Sequence, residues 1–257
     1  MLRLSPCAEI IFRELEFTDR IDAYAKMGFS ACEFWGWKNK DMEGILRKIE
    51  KNRMKISSFG IDPSLQIVDP KNKGAFVKAV EETITAAKKL SVTTLIVTTG
   101  KEMAGVPRQA QHESIVNSLK AAAPAAESAG VTLVLEPLNI LVDHKGYYLS
   151  TSLEGFQVIK ETGSKSVKLL YDIYHQQITE GNIIQNVAEN IGLIGHFHSA
   201  DVPGRHEFGT GELNYRNIIQ KIKETGFSGY IGLEFLPLKP SKEALQSCID
   251  AGKGVCD

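Results

Sequence analysis

Four apolar segments of strand length each end in a side chain that can bind a metal or move a proton. They are 132–136, closing on Glu136; 168–172, closing on Asp172; 193–198, closing on His198; and 230–234, closing on Glu234. A carboxylate inside such a run would be too costly to strip of water, so each group belongs at the C-terminal end of its strand. Successive groups are spaced by about one strand–helix repeat, which puts them on adjacent strands around one rim. Three carboxylates and an imidazole suit one divalent metal ion of intermediate hardness, Mn2+ or Mg2+ first, with Zn2+ or Co2+ as alternatives. A solvated loop acid or a satisfied core histidine explains any one of the four. Four at consecutive strand ends are better explained by a common site.

The totals narrow the partner. The 257 residues are 43% hydrophobic, enough for a sizeable core, and Lys plus Arg number 30 against 31 for Asp plus Glu. This balance gives no electrostatic footprint for nucleic acid and no basic tail for a membrane, so a small-molecule substrate is expected. Cys7, Cys32, Cys248 and Cys256 are scattered and read as thiols of a reducing compartment. No secretory signal and no apolar run of about 20 residues is visible, so the expectation is a cytoplasmic protein. Homo-oligomerisation is left open, because no outer helix shows a decisive apolar stripe.

The elements that must position the four groups follow in order. Strands are expected at 2–5, 31–35, 55–59, 93–98, 132–136, 168–171, 193–198 and 230–235. Helices are expected from Thr18 as a cap to Gly28, and over 42–52, 73–90, 109–129, 152–162, 181–190 and 215–225, with a last one opening at Ser241. Pro124 should kink or split the helix that contains it. Eight strand–helix repeats with no composition shift imply a single-domain α/β protein, residues 1–257, folded as a (β/α)8 TIM barrel with its site at the C-terminal rim. A dinucleotide-binding fold would show G-x-G-x-x-G after the first strand, and none is present.

Further candidates surround the four. His175, three residues past Asp172, should stand above the metal and meet a substrate oxygen. Arg205, in a glycine-containing loop, could grip a carboxylate in bidentate fashion. Glu33, at the end of strand two, could hydrogen-bond a substrate hydroxyl, with Trp35, Trp37 and Phe59 walling the pocket. His196 is expected to face away from His198 unless the strand bulges there, and is read as a supporting or structural group; Asp201 either supports a ligand histidine or shapes the turn before Pro203. His112, Cys32 and His144 receive no role.

The segments 135–139 (LEPLN), 171–175 (YDIYH), 196–201 (HFHSAD), 209–215 (GTGELNY) and 232–235 (GLEF) resemble the hydroxypyruvate isomerase branch of the xylose-isomerase-like TIM barrels. The resemblance runs through the chain in order and is densest from residue 131. It implies Glu136, Asp172, His198 and Glu234 as metal ligands, with Glu136 and Glu234 doubling as the catalytic acid–base pair. One position departs: that branch often carries glutamine where this chain has His198, whereas ketose 3-epimerases carry histidine. The implied activity is isomerisation of hydroxypyruvate to tartronate semialdehyde through an enediolate. A ketose 3-epimerase of the D-tagatose or D-psicose type uses the same logic on a longer sugar, and a non-catalytic sugar-binding barrel is the alternative outside the enzymes. An apurinic endonuclease of the same superfamily needs more histidines than the six here and a basic rim.

Overall fold

The strands are short and largely apolar, and nearly all are followed by a helix, so each strand–helix unit hides one face only by packing helix against sheet. In the computed structural model, which describes residues 1–256, this produces a parallel sheet wrapped by helices. The strands are β1 (Leu2–Pro6), β2 (Ala31–Cys32), β3 (Lys55–Ile56), β4 (Phe59–Gly60), β5 (Thr94–Val97), β6 (Thr132–Leu135), β7 (Val167–Asp172), β8 (Ile194–Ser199) and β9 (Gly229–Leu233). They run in the order β1-β9-β8-β7-β6-β5-β4, with the pair β2-β3 filling the gap. Ala8 N donates to Glu33 O and Glu33 N to Pro6 O, joining β1 to β2; Ser57 N donates to Cys32 O, continuing to β3. The sheet therefore closes, and the protein is a (β/α)8 barrel.

The strand expected over 55–59 is broken into β3 and β4 at Ser57 and Ser58. Both hydroxyls reach the same oxygen of Glu33, at 3.1 Å each. Consecutive residues of a regular strand point to opposite faces, so the pleat cannot persist there. A segment beyond β7 was not expected to be helical, yet α6 spans Ile173–Thr179, after α1 (Phe17–Lys26), α2 (Met42–Asn52), α3 (Lys73–Lys89), α4 (Arg108–Ala129) and α5 (Ser152–Thr162). The chain continues with α7 (Ile183–Asn190), α8 (Tyr215–Glu224) and α9 (Ser241–Gly252). Thr18 does not cap α1, whose N-cap position is Glu16. Helix α4 runs unbroken through Pro124, where buried Ala122, Ala123 and Ala126 pack it on the sheet side. That packing outweighs the hydrogen bond the proline removes.

The pleat gives the barrel interior its layers. Residues two apart share a face, so Val134, Leu170, His196 and Gly232 lie directly beneath Glu136, Asp172, His198 and Glu234. Ile96, Val134 and Leu170 form a small buried cluster of their own, separate from the main core between sheet and helices. Among the described residues no helix is long and apolar enough to cross a membrane.

Candidate active site

The four strand-end groups converge. Ligating atoms of Glu136, Asp172, His198 and Glu234 all lie within 4.8 Å of one another, and all four residues are buried. Glu136 and Glu234 follow β6 and β9, and Asp172 and His198 on the intervening β7 and β8 stand between them. His198 Nδ1 faces the cluster, 3.2 Å from Glu136 Oε1 and 3.3 Å from Glu234 Oε2. Its Nε2 faces away, 3.1 Å from Glu33 Oε1.

Asp172 has two tasks. Its Oδ1 accepts from Tyr174 N (2.8 Å) and His175 N (3.3 Å), capping α6. Its Oδ2 is left toward the cluster, 3.6 Å from an Arg205 nitrogen and 3.5 Å from His175 Nε2. The cap turns the chain into α6 at once and thereby fixes His175. That ring's Nδ1 accepts from the backbone N of Asn139 (3.3 Å), so its proton is on Nε2. Among the described residues Nε2 has no hydrogen-bond partner, and the ring lines the cavity. Burial, with the Arg205 charge, drives the His175 pKa down to about 3, which keeps the ring a neutral donor.

Arg205 is brought to the same place by a left-handed backbone (φ 60°) in the loop after β8. It donates to the Glu234 carboxylate and, through Nε, to the Glu234 carbonyl (3.2 Å), and its guanidinium lies over the Tyr174 ring. Trp35 Nε1 donates to Glu234 Oε1 at 2.6 Å. Burial alone would raise the Glu234 pKa, but Arg205, His198 and this indole hold the carboxyl well below the usual range. Burial does raise Asp172, against the pull of Arg205 and His198. Burial opposes a charge on His198, yet Glu234, Glu33 and Glu136 around it raise its pKa well above the ordinary value.

Glu33 is not where a substrate hydroxyl could reach it. It lies below the cavity floor, 2% exposed, with Oε2 bonded to His196 Nε2 (2.9 Å), Ser57 and Ser58. The physical reason is the early end of β2: after Cys32 the chain pairs inward at Glu33 and only then rises to the rim at Trp35. His196 shares the inward face with His198, two residues apart, and does not face away. Of the two roles open to Asp201 it has the turn-shaping one: its two oxygens accept five backbone N–H groups between Val202 and Leu213 and shape that loop. Trp35 lines the cavity, while Trp37 donates to Thr83 and Phe59 stacks on Phe34 in the core.

The cavity above the cluster has a volume of about 710 Å³. Its wall includes groups that carried no signal in the sequence: His144, edge-on to His175, and the pair Glu9 and Lys40. Asn139, which orients His175, could have been found from its place in the 135–139 motif.

The cluster fits a divalent cation on its own terms. Oxygens of three carboxylates gather within 4.8 Å of one another, and the cationic groups set against them are His198 and Arg205. His198 turns Nδ1 to those carboxylates and Nε2 to Glu33, 3.1 Å away, and a carboxylate behind a metal-binding imidazole serves to orient such a ring.

A closed (β/α)8 barrel with acid and imidazole groups gathered at the C-terminal rim defines a class of enzymes able to hold a metal ion beside a small-molecule pocket. A family model described as xylose isomerase-like TIM barrel matches residues 21–251, and the chain belongs to that family. Hydroxypyruvate isomerase of Escherichia coli (strain K12) is 27% identical over 254 residues, 96% of this chain and 98% of that protein. A 2-oxo-tetronate isomerase of Cupriavidus necator is 29% identical over 92% of this chain and 94% of its own length. The structure of an AP endonuclease, family 2, from Brucella melitensis superposes with a TM-score of 0.90 at 26% identity, covering 95% of this chain and 97% of that one. The relatives named as isomerases match nearly end to end, and the protein is an isomerase of this family.

Proposed function

We propose that the protein isomerises small α-hydroxy-carbonyl acids, with hydroxypyruvate to tartronate semialdehyde as the reference reaction. The observation that carries the reading is the placement of Glu136 and Glu234 on either side of Asp172 and His198, at the floor of a cavity. Glu136, Asp172, His198 and Glu234 would hold one divalent cation, which supplies stabilisation of negative charge on adjacent substrate oxygens. The isomerisation removes a proton from the hydroxymethyl carbon, leaves an enediolate, and returns a proton to the neighbouring carbon; a second proton passes from the old hydroxyl oxygen to the old carbonyl oxygen. Glu136 suits the first removal, because among the described residues its carboxylate pairs with His198 and no guanidinium, while Glu234 is tied to Arg205 and Trp35. Glu234 suits the opposite side: with Arg205 turned to the substrate carboxylate, its own carboxyl is freed to take up a solvent proton and return it to the neighbouring carbon. His175 Nε2–H donates to a substrate oxygen, and Arg205 holds the substrate carboxylate while remaining over Tyr174.

Proton NMR of hydroxypyruvate in D2O tests this, before and after chelation and Mn2+ or Mg2+ restoration. Loss of the C3 proton signal with appearance of tartronate semialdehyde, dependent on enzyme and on added metal, is expected. No exchange with any metal, alongside exchange at C3 of D-fructose or D-tagatose, would transfer the site to 3-epimerisation.

A further inference from the structure

The cluster occupies only the inner end of the cavity. The outer end is built by the other half of the barrel: Glu9 after β1, Lys40 between β2 and α2, Ser64 after β4 and Thr98 after β5. Lys40 Nζ lies 2.9 Å from Glu9 Oε1, with the two side chains only 13% and 16% exposed. Its ammonium also stands 4.7 Å from the centre of the Phe17 ring. Withdrawing such a pair from water contributes little to stability, so its position on a cavity wall calls for another role.

Trp35 joins this pair to the reacting end. Its backbone N donates to Glu9 Oε1 (3.3 Å) and its indole to Glu234 Oε1 (2.6 Å), so one residue spans the distance between them. The pair is neutral overall, yet offers free ammonium protons beside a carboxylate oxygen. That combination matches hydroxyl groups, which both donate and accept, better than a second carboxylate. Ser64 and Thr98 add two hydroxyls, 2.8 Å apart. A volume of about 710 Å³ is room for two dozen or so waters at ~30 Å³ each, far more than a three-carbon acid fills.

We propose that the outer end is a hydroxyl-reading subsite and that Lys40 and Glu9 select substrates with a polyhydroxylated chain of four or more carbons. The proposal rests on the reading of the inner site given above, and it assigns the far end of the substrate to the N-terminal half of the barrel. The reacting carbons then lie over the quartet while successive hydroxyls run along Trp35 toward Lys40.

The test separates recognition from turnover. Calorimetric titrations of the Mn2+-loaded protein would use glycerate, threonate and gluconate, polyhydroxy acids that cannot isomerise. Affinity is expected to rise by about tenfold or more from the three-carbon to the six-carbon acid, the scale of charge-assisted hydrogen bonds. Lys40→Met and, independently, Glu9→Gln should remove most of that rise while changing glycerate binding far less. Glycerate binding also reports that each variant is folded. Affinity independent of chain length, or a rise that survives both substitutions, overturns the subsite. Chain-length-dependent binding without D2O exchange of any substrate would instead sink the isomerase reading and leave the subsite standing.

Discussion

Gly232 is the position at which the geometry beneath the cluster can be tested most sharply. It lies on β9 opposite His198, and its φ is not in the left-handed region, so the backbone makes no demand for glycine. On backbone grounds alone, Gly232→Ala should stabilise a strand by about 0.5–1 kcal/mol. A Cβ there, however, would lie 2.1 Å from Glu33 Oε1 and 2.6 Å from His198 Cδ2. Neither neighbour is a free end. Glu33 is anchored through its other oxygen by His196, Ser57 and Ser58, and His198 is held between Glu33 and two cluster carboxylates. Overpacking typically costs about 1–3 kcal/mol, and loosening a buried charge pair adds a share of about 3–5 kcal/mol. The expected net effect is a loss of about 2 kcal/mol or more, read as a lower urea midpoint at unchanged slope, or roughly 4–8 °C in Tm. Because His198 must turn or shift, Mn2+ affinity by calorimetry should fall about 10–100-fold. A Gly232→Ala protein as stable as the parent, with the same Mn2+ affinity, would refute the claim that Glu33 and His198 are locked in this register.

Glu33→Gln keeps the shape but removes the charge that faces both imidazoles; Mn2+ affinity is expected to drop about tenfold or more, with circular dichroism unchanged. Unaltered affinity would reduce Glu33 to a packing residue. Glu234→Gln should cut solvent proton exchange into substrate by about 10²–10⁴-fold while the fold is retained, and a fully active variant would remove Glu234 from the chemistry. The low pKa of His175, about 3 in the folded chain, has a pH consequence for the metal-free protein. Unfolded histidine takes up its proton near pH ~6.5, so between those values the unfolded chain binds more protons and stability falls as pH falls, by up to about 1.4 kcal/mol per unit. His175→Gln should flatten urea midpoints measured from pH 7 to 4, and an identical slope in both proteins would contradict a neutral, buried His175.

The barrel and the convergence of Glu136, Asp172, His198 and Glu234 were legible in the sequence because both follow from local rules. An apolar run must stop where a charged group needs water or a partner, and parallel strands in a barrel end on the same rim, so strand ends repeated at one βα spacing have to meet. Lys168–Asp172 carries this information within five residues. Closure across the barrel is not local, and what it decided could not be read along the chain. Glu33 and His196 meet over 163 residues of sequence, and Ser57 and Ser58 give up the strand pleat to reach the same carboxylate. The α6 helix was hidden because Asp172 serves at once as a strand end and as a helix cap. The outer wall of Glu9, Lys40 and Trp35 comes from the half with no motif. Its residue types are those of any solvated loop, and only the curvature of the closed sheet turns them toward the cavity.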